Sequence, residues 1–164
     1  PSSNHKNMNI LVLDNIIKNP DTYVKEVLDK EFMDIEDGPH AVFKGIQPRK
    51  NDELEQFVLK LFPDYSVGYN FVRQSPSMQV EPNFIHSDEM MGDKTVLLYL
   101  NKEYPSNAGT TMYNEDLSPS SVVYMKYNRL VVFDSHHKHS RNLKDNFGKG
   151  EGSRLVQVMF LNSQ

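Results

Sequence analysis

Two residues in the middle of the chain, His86 and Asp88, have the types and the spacing of metal ligands. They lie in the segment 84–88, and in extended backbone residues two apart project to the same face of a strand. One imidazole and one carboxylate therefore converge on that face. The chain contains no cysteine, so a metal here must be held by histidine and carboxylate ligands.

A third ligand must come from elsewhere in the chain, and the sequence offers three histidines in one place. An apolar run at residues 130–134 leads into a turn that carries His136, His137 and His139. Two histidines and one carboxylate on one face of an iron ion leave three adjacent positions open, which lets an oxygenase bind a co-substrate and dioxygen together. A structural zinc ion normally takes four protein ligands. The pattern therefore favours non-haem iron.

A 2-oxo acid that chelates such an iron needs a protein group for its distal carboxylate. Arg154 opens the last apolar strand, and a guanidinium can clamp a carboxylate with two parallel hydrogen bonds. Tyr99 can donate a second hydrogen bond from its hydroxyl. Each residue also has a simpler interpretation, with Arg154 pairing with a carboxylate at the end of a sheet and Tyr99 serving as an ordinary core tyrosine.

Hydrophobic spacing indicates the elements that must position these residues. A short apolar strand at residues 9–13 precedes two helices, at residues 20–32 and 52–62, whose apolar side chains recur at helical spacing. From residue 66 onward the sequence breaks into short runs rich in Val, Tyr, Phe and Thr. These runs predict strands at residues 67–73, 77–80, 94–101, 110–114, 121–128, 130–134 and 154–162.

Strands that follow two helices predict a mostly β fold. We expect a double-stranded β-helix, or jelly roll, with two or more helices packed on one outer face. A chain of 164 residues is expected to form a single domain, 1–164, with a helical N-terminal segment at 1–64 and a jelly-roll core at 65–164. A flattened barrel of this kind has a mouth where a ligand can bind. The segment 89–93, directly after the ligand residues, is suited to a substrate lid.

The net charge and the lack of long apolar runs argue against nucleic-acid and membrane partners. With 18 Lys and Arg against 22 Asp and Glu, the net charge is -4, which does not favour a nucleic-acid substrate. No apolar run of about 18 residues and no signal-peptide pattern is present, which predicts a cytoplasmic protein with no membrane partner. Lys138, Arg141 and Lys144 add positive charge near the proposed mouth; we interpret them as a solvated turn rather than as a site for an acidic substrate.

The order of these motifs resembles that of a known enzyme family. A His-x-Asp pair, the strand Leu-Leu-Tyr-Leu-Asn at 97–101, a small-residue turn at 107–110, a strand ending in Phe133, a distal histidine and an arginine-led strand follow one another. This series is similar to that of the 2-oxoglutarate- and Fe(II)-dependent dioxygenases, and most similar to their prolyl-hydroxylase-like branch. The resemblance covers roughly residues 67–162 and rests on five ordered elements rather than on one short motif.

Position by position, the resemblance implies roles for five residues. It implies that the iron is bound by His86, Asp88 and His139. It implies that 2-oxoglutarate is bound by Arg154 and Tyr99. Iron(II), 2-oxoglutarate and dioxygen are then the cofactor and the co-substrates. The segment 141–153 is longer than in the compact prolyl hydroxylases, so the spacing between the distal histidine and the arginine departs from theirs.

The same resemblance selects one histidine and one reaction. His139 lies six residues after Phe133, the spacing of the family's Phe-x-Ser-x-x-x-His stretch, which favours it over His136 and His137. Related halogenases leave the carboxylate position open for a halide, whereas here Asp88 occupies it, so hydroxylation of a C–H bond is implied. Dioxygen would convert 2-oxoglutarate to succinate and carbon dioxide in the process.

The substrate is left open by the sequence. The prolyl-hydroxylase-like strand favours a peptidyl or free amino-acid side chain, and an oxygenase acting on another small metabolite is the rival enzyme. The rival from another class is a non-catalytic jelly-roll module that binds a metal or a sugar. Such a module has no use for a clamp on a 2-oxo acid, so Arg154 is the feature that separates the two classes.

Overall fold

Two antiparallel sheets and two helices make up the computed structural model, which describes residues 9–37, 41–81, 84–143 and 146–164. A short 3-10 turn at Gly150–Gly152 precedes the last strand. The elements are β1 (Leu11–Leu13), α1 (Pro20–Leu28), β2 (Met33–Asp37), β3 (Ala41–Pro48), α2 (Asp52–Leu61), β4 (Tyr65–Ser75), β5 (Lys94–Tyr99), β6 (Gly109–Tyr113), β7 (Pro119–Tyr124), β8 (Leu130–Asp134), β9 (His139–Arg141) and β10 (Arg154–Ser163).

The two sheets form the two walls of a jelly roll. The larger sheet has seven strands in the order β1-β8-β5-β10-β4-β3-β2, and the smaller has three in the order β7-β6-β9, with every pair antiparallel. Buried side chains of both sheets form one cluster between them, which includes Tyr99, Met112, Val123, Phe133 and Val156. The mostly β fold predicted from the sequence is therefore confirmed.

Both helices pack against the other face of the larger sheet. Side chains alternate along β5, so Leu98 points away from the interior that receives Tyr99. Leu98 lies in a second buried cluster with Val27 of α1 and Leu54 of α2. The sequence favours α2 at this position because the side chain of Asn51 accepts a hydrogen bond from the Leu54 amide at 2.9 Å and caps the helix. Neither described helix has the length and apolar character that a bilayer-spanning helix needs.

The structure departs from the predicted elements mainly in the first third of the chain. Strands β2 and β3 form a hairpin at the edge of the larger sheet, where the sequence analysis placed no strand. Their apolar side chains do not alternate cleanly, and Gly45 interrupts β3 with a φ of +66°. A Cβ at that position would lie 2.1 Å from the carbonyl oxygen of Gln74 on β4, so the close approach of the two strands requires glycine. Helix α1 also ends earlier than predicted, at Leu28.

The predicted strand at residues 77–80 is not formed. Residues 77 and 78 make a turn, Met78 has a φ of +73°, and the segment pairs with no strand. Hydrogen bonds tie the segment to the loop before β10: the Ser77 amide donates to the Gly148 carbonyl at 2.8 Å, and the side chain of Asn146 donates to the Gln79 carbonyl at 3.1 Å. The β-favouring composition of Met78 and Val80 was misleading because both side chains are largely exposed.

Candidate active site

The side chains of His86, Asp88 and His139 lie together in the structure. One ligand atom from each lies within 4.8 Å of the others. Nε2 of His139 is 3.1 Å from Oδ2 of Asp88, and Nε2 of His86 is 3.5 Å from Oδ1 of the same carboxylate. The two imidazole centroids are 4.4 Å apart. The three residues that the sequence analysis named thus form one group with three inward-facing donor atoms.

Backbone hydrogen bonds position these three residues. His86 and His139 form an isolated antiparallel bridge, in which the His86 amide donates to the His139 carbonyl at 3.0 Å and the reverse bond measures 2.8 Å. Directly opposed residues of such a pair project their side chains to the same face. The Asp88 amide donates to the Ser135 carbonyl at 2.9 Å. Segment 84–88 is therefore not a regular strand. The bridge places His86 beside His139, and the bond to Ser135 holds Asp88 next to them.

Contacts between Nδ1 and backbone carbonyls orient the two imidazoles, so that each Nε2 is available to a metal. Nδ1 of His86 lies 3.3 Å from the Phe84 carbonyl, and Nδ1 of His139 lies 3.1 Å from the His137 carbonyl. A backbone carbonyl only accepts hydrogen bonds, so each Nδ1 carries the proton and each Nε2 presents its lone pair. The ring of Phe133 contacts His139 from the side at 4.8 Å between centroids. This donor set fits a divalent transition metal.

The protonation states also suit metal binding. Burial raises the pKa of the Asp88 carboxyl, but the adjacent groups His139, His86 and Thr95 outweigh it and hold that pKa below its usual value. Burial and the neighbouring His139 lower the pKa of His86. At neutral pH Asp88 is thus an anion and His86 a neutral base, and these are the forms that coordinate a metal.

Thr95 on β5 supports the carboxylate and gives a first testable prediction. Its buried hydroxyl lies 3.3 Å from Oδ2 of Asp88 and 2.9 Å from Oγ of Ser135. We expect Thr95→Val to weaken Fe(II) binding by about 10–100-fold, because an unsupported ligand carboxylate loses its orientation. A competition titration against a metal-sensitive dye measures this, and Thr95→Ser should bind as the wild type does. Equal affinities of the valine and serine variants would contradict the role.

His136 and His137, the alternatives to His139, do not reach this group. They lie in the turn after β8, where their ligand atoms cluster with that of Asp134 instead. His136 is exposed and His137 is buried. Among the three candidate histidines, the structure therefore brings His139 to the side of His86 and Asp88.

Arg154 and Tyr99 lie inside the barrel near each other. Tyr99 is fully buried, and its hydroxyl lies 2.5 Å from Oγ1 of Thr110 on β6. Arg154 begins β10 and lines a small, partly open pocket together with Gly109 and Arg141. Burial lowers the pKa of Arg154 to about 10, and Tyr99 partly offsets this effect. The guanidinium therefore remains charged at neutral pH, in a position to bind a carboxylate.

Arg141 belongs to this pocket and not to a solvated turn, which corrects the sequence interpretation. It lies on β9 two residues after His139, so alternation directs it to the same inner face. Its guanidinium lies over the ring of Phe84, 5.2 Å from the centroid. The His-x-Arg spacing is the sequence feature that would place both side chains on one face of a strand. However, β9 has only three residues, too few for their pattern to predict a strand. Lys138 is exposed as expected, and Lys144 lies outside the described residues.

Asn101 fixes the start of β10 and gives a second prediction. Its buried side chain accepts from the Leu155 amide at 2.8 Å and donates to the Ser153 carbonyl at 2.9 Å, so it holds the backbone on both sides of Arg154. We expect Asn101→Ala to destabilise the fold by about 1–3 kcal/mol, because it leaves buried polar backbone atoms unpaired. It should also weaken 2-oxoglutarate binding while Fe(II) affinity is kept.

Denaturant unfolding and ligand titrations measure these effects. The matched control is Lys102→Ala, which changes the exposed neighbouring residue and should alter neither quantity. Unchanged 2-oxoglutarate affinity in a folded Asn101→Ala variant would contradict the positioning role.

Comparison with known proteins gives matches in structure only, since no protein-family model and no curated protein sequence matches the chain. One match is a prolyl hydroxylase of Trichoplax adhaerens, which was solved with a peptide of the hypoxia-inducible factor oxygen degradation domain. It superposes with a TM-score of 0.62 at 15% identity, and the match covers 94% of this chain and 83% of that protein. A non-haem alpha-ketoglutarate-dependent carbocyclase from nogalamycin biosynthesis gives 0.62 at 12% identity, covering 94% and 80%.

A third structure widens the range of matches. An oxidoreductase of the 2OG-Fe(II) oxygenase family from Burkholderia pseudomallei gives a TM-score of 0.51 at 13% identity; 68% of this chain is covered, and the chain spans about half (52%) of that protein. At these identities the likeness establishes the fold. The resemblance predicted from the sequence is confirmed at that level: the chain has the fold of the 2OG-Fe(II) oxygenases.

Proposed function

We propose that this protein is a non-haem Fe(II)- and 2-oxoglutarate-dependent dioxygenase that hydroxylates a C–H bond. The observation that carries the proposal is the group formed by His86, Asp88 and His139, whose donor atoms lie within 4.8 Å of one another and face the same point. The oxygenase fold supports the same class of enzyme.

The protein's own groups prepare the site for its cofactor. When bound, iron would supply the oxidising chemistry by which dioxygen, 2-oxoglutarate and a substrate C–H group give succinate, carbon dioxide and the hydroxylated substrate. His86 and His139 would each donate an Nε2 lone pair, and Asp88 would add a negative charge. Because the protein would supply three ligands on one side of the iron, the coordination positions on the opposite side would be available to small ligands. With a carboxylate rather than a halide as third ligand, hydroxylation is favoured over halogenation.

Arg154 would hold the distal carboxylate of 2-oxoglutarate. A charged guanidinium in a partly buried pocket forms stronger hydrogen bonds to a carboxylate than an exposed one does, since less water competes. Tyr99 and Thr110 are already hydrogen-bonded to each other, so one of the two hydroxyl protons is used between them and the other can be directed at the same carboxylate. These three residues orient the co-substrate and do not exchange protons with it.

A peptidyl or free amino-acid side chain is the substrate class that we favour. One structural neighbour, the Trichoplax prolyl hydroxylase, was solved with a peptide, and its fold covers almost all of this chain. The turn at residues 89–91, directly after Asp88, carries Met90, which is 93% exposed. Both flanks of this turn are tied to the sheet, because Asp88 donates to Ser135 and the Asp93 amide donates to the Leu161 carbonyl at 2.7 Å. An exposed apolar tip on anchored flanks is suited to contact a substrate.

Anaerobic titration of the purified protein with Fe(II), followed by 2-oxoglutarate, tests the proposal. Chelation of Fe(II) by a 2-oxo acid produces a visible charge-transfer band, and we expect this band to saturate at one equivalent of each ligand. Zn²⁺ in place of Fe(II) is the matched control, because its filled d shell gives no such band. Absence of the band with both ligands present would point instead to a module that binds metal without a co-substrate.

A further inference from the structure

A second group of metal-ligand side chains lies outside the site described above. Asp134 is the last residue of β8, and His136 and His137 follow it in the turn. One ligand atom from each lies within 4.8 Å of the others. The His137 amide donates to the Asp134 carbonyl at 3.1 Å and closes the turn. The two sites have no ligand residue in common.

The turn explains why the rings of two adjacent histidines lie close together. In a strand, neighbouring side chains point to opposite faces, whereas a turn reverses the backbone and removes this alternation. The imidazole rings of His136 and His137 accordingly lie side by side, with centroids 4.2 Å apart and planes inclined at 39°. His137 is buried and therefore fixed, while His136 is exposed and open to an ion from solvent.

We propose that Asp134, His136 and His137 form a second metal site that binds a borderline divalent cation such as Zn²⁺. Two imidazole nitrogens and one carboxylate oxygen are common zinc ligands, and water can complete the tetrahedron on the exposed side. Hard cations such as Mg²⁺ and Ca²⁺ prefer sites built wholly from oxygen, so the two imidazoles select against them. The site goes beyond the proposed oxygenase function and does not depend on it.

Lys94 is the group that competes with a cation here, and it also positions the carboxylate. Its Nζ lies 2.8 Å from Oδ1 of Asp134. The same ammonium group lies over the rings of Phe62 and Tyr65, at 5.1 and 5.4 Å from their centroids, which offers it a second source of stabilisation. A carboxylate accepts at both oxygens, so Asp134 can keep this ion pair through one oxygen and coordinate a metal through the other.

The new site is connected to the first through the backbone. The carbonyl of His137 is the group that accepts the hydrogen bond from Nδ1 of His139, at 3.1 Å. A cation bound by the His137 ring would therefore fix the same residue whose backbone orients a ligand of the first site. This connection is a reason for an ion at the turn to affect the enzyme and not merely to adhere to its surface.

Counting bound zinc in a set of variants tests the second site. The full chain, stripped of metal and dialysed against buffered Zn²⁺, is expected to bind two equivalents by elemental analysis. His136→Ala should bind one, His139→Ala should bind one, and the double variant none. Lys138→Ala, which changes an exposed residue of the same turn, is the matched control and should keep two.

The outcomes separate the two sites. If the wild type binds one equivalent that His139→Ala removes and His136→Ala does not, the second site is excluded. If it binds one equivalent that His136→Ala removes and His139→Ala does not, the second site stands and the proposed iron site fails. Because His136 is exposed, its loss should not affect folding; Asp134→Asn, which should weaken the second equivalent by at least about tenfold, provides an independent check.

Discussion

Replacement of Asp88 by alanine is expected to abolish Fe(II)-dependent turnover of 2-oxoglutarate. Asp88 is the one carboxylate in the group, and it contacts His86, His139 and Thr95 at the same time. Its removal takes away one ligand. It also takes away the only negative charge with which the group can neutralise part of the charge of the cation. Loss of an indirect partner of a metal ligand already costs about 10–100-fold in activity or affinity, so loss of the ligand itself should exceed that range.

Succinate formation and the charge-transfer band measure this effect. His86→Ala should behave in the same way, because it removes a nitrogen donor that no other described residue can replace at that point. Glu89→Ala is the matched control, since it removes an exposed carboxylate from the neighbouring turn and leaves the group intact. Wild-type turnover by a folded Asp88→Ala variant would show that these residues do not bind the catalytic metal.

Arg154→Ala is expected to weaken 2-oxoglutarate binding by about 10–100-fold, because a charge-assisted hydrogen bond contributes roughly 1.5–3 kcal/mol and each 1.4 kcal/mol is a factor of ten. Fe(II) affinity should be unchanged, since the iron ligands do not involve this residue. The quantity to measure is the 2-oxoglutarate concentration at half-saturation of the charge-transfer band. Arg154→Lys should be affected less than the alanine variant, because an ammonium keeps the charge but loses the two-pronged contact.

Arg141 is the other guanidinium that could bind the distal carboxylate of 2-oxoglutarate. Arg141 lines the same pocket on the inner face of β9. If Arg154→Ala binds 2-oxoglutarate as tightly as the wild type while Arg141→Ala does not, the co-substrate would be held by Arg141. That result would correct the assignment of the distal carboxylate and leave the metal site unaffected.

The sequence predicted those parts of the fold in which local pattern and burial agree. Strand β8, with four consecutive apolar or aromatic positions before its last residue, was placed at its observed bounds, 130–134. Helix α2 was placed to within one residue because its cap, its apolar stripe and the proline that follows all indicate the same element. The edge hairpin β2–β3 was missed, since half-exposed strands with polar residues and a glycine lack a period-two pattern.

The candidate site was predictable as a list of residues but not as a set of contacts. His86 and Asp88 followed from their spacing, and His139 followed from the family resemblance. Nothing in the sequence indicated that Thr95 would contact Asp88 or that Thr110 would contact Tyr99, because these partners lie on strands whose register is set by the whole sheet. Arg141 was misjudged for a related reason: its orientation depends on β9, which is defined by its pairing with β6 and with His86 rather than by its own sequence pattern.

The bridge between His86 and His139 has a thermodynamic consequence for the metal. Two proposed ligands that are distant in sequence are joined by main-chain hydrogen bonds, and their rings are oriented by further main-chain carbonyls. The conformational entropy of bringing these donors together is lost when the sheet folds and not when an ion arrives. Most of the free energy of coordination is then available for affinity and selectivity, in contrast to small zinc domains whose metal must also fold the chain.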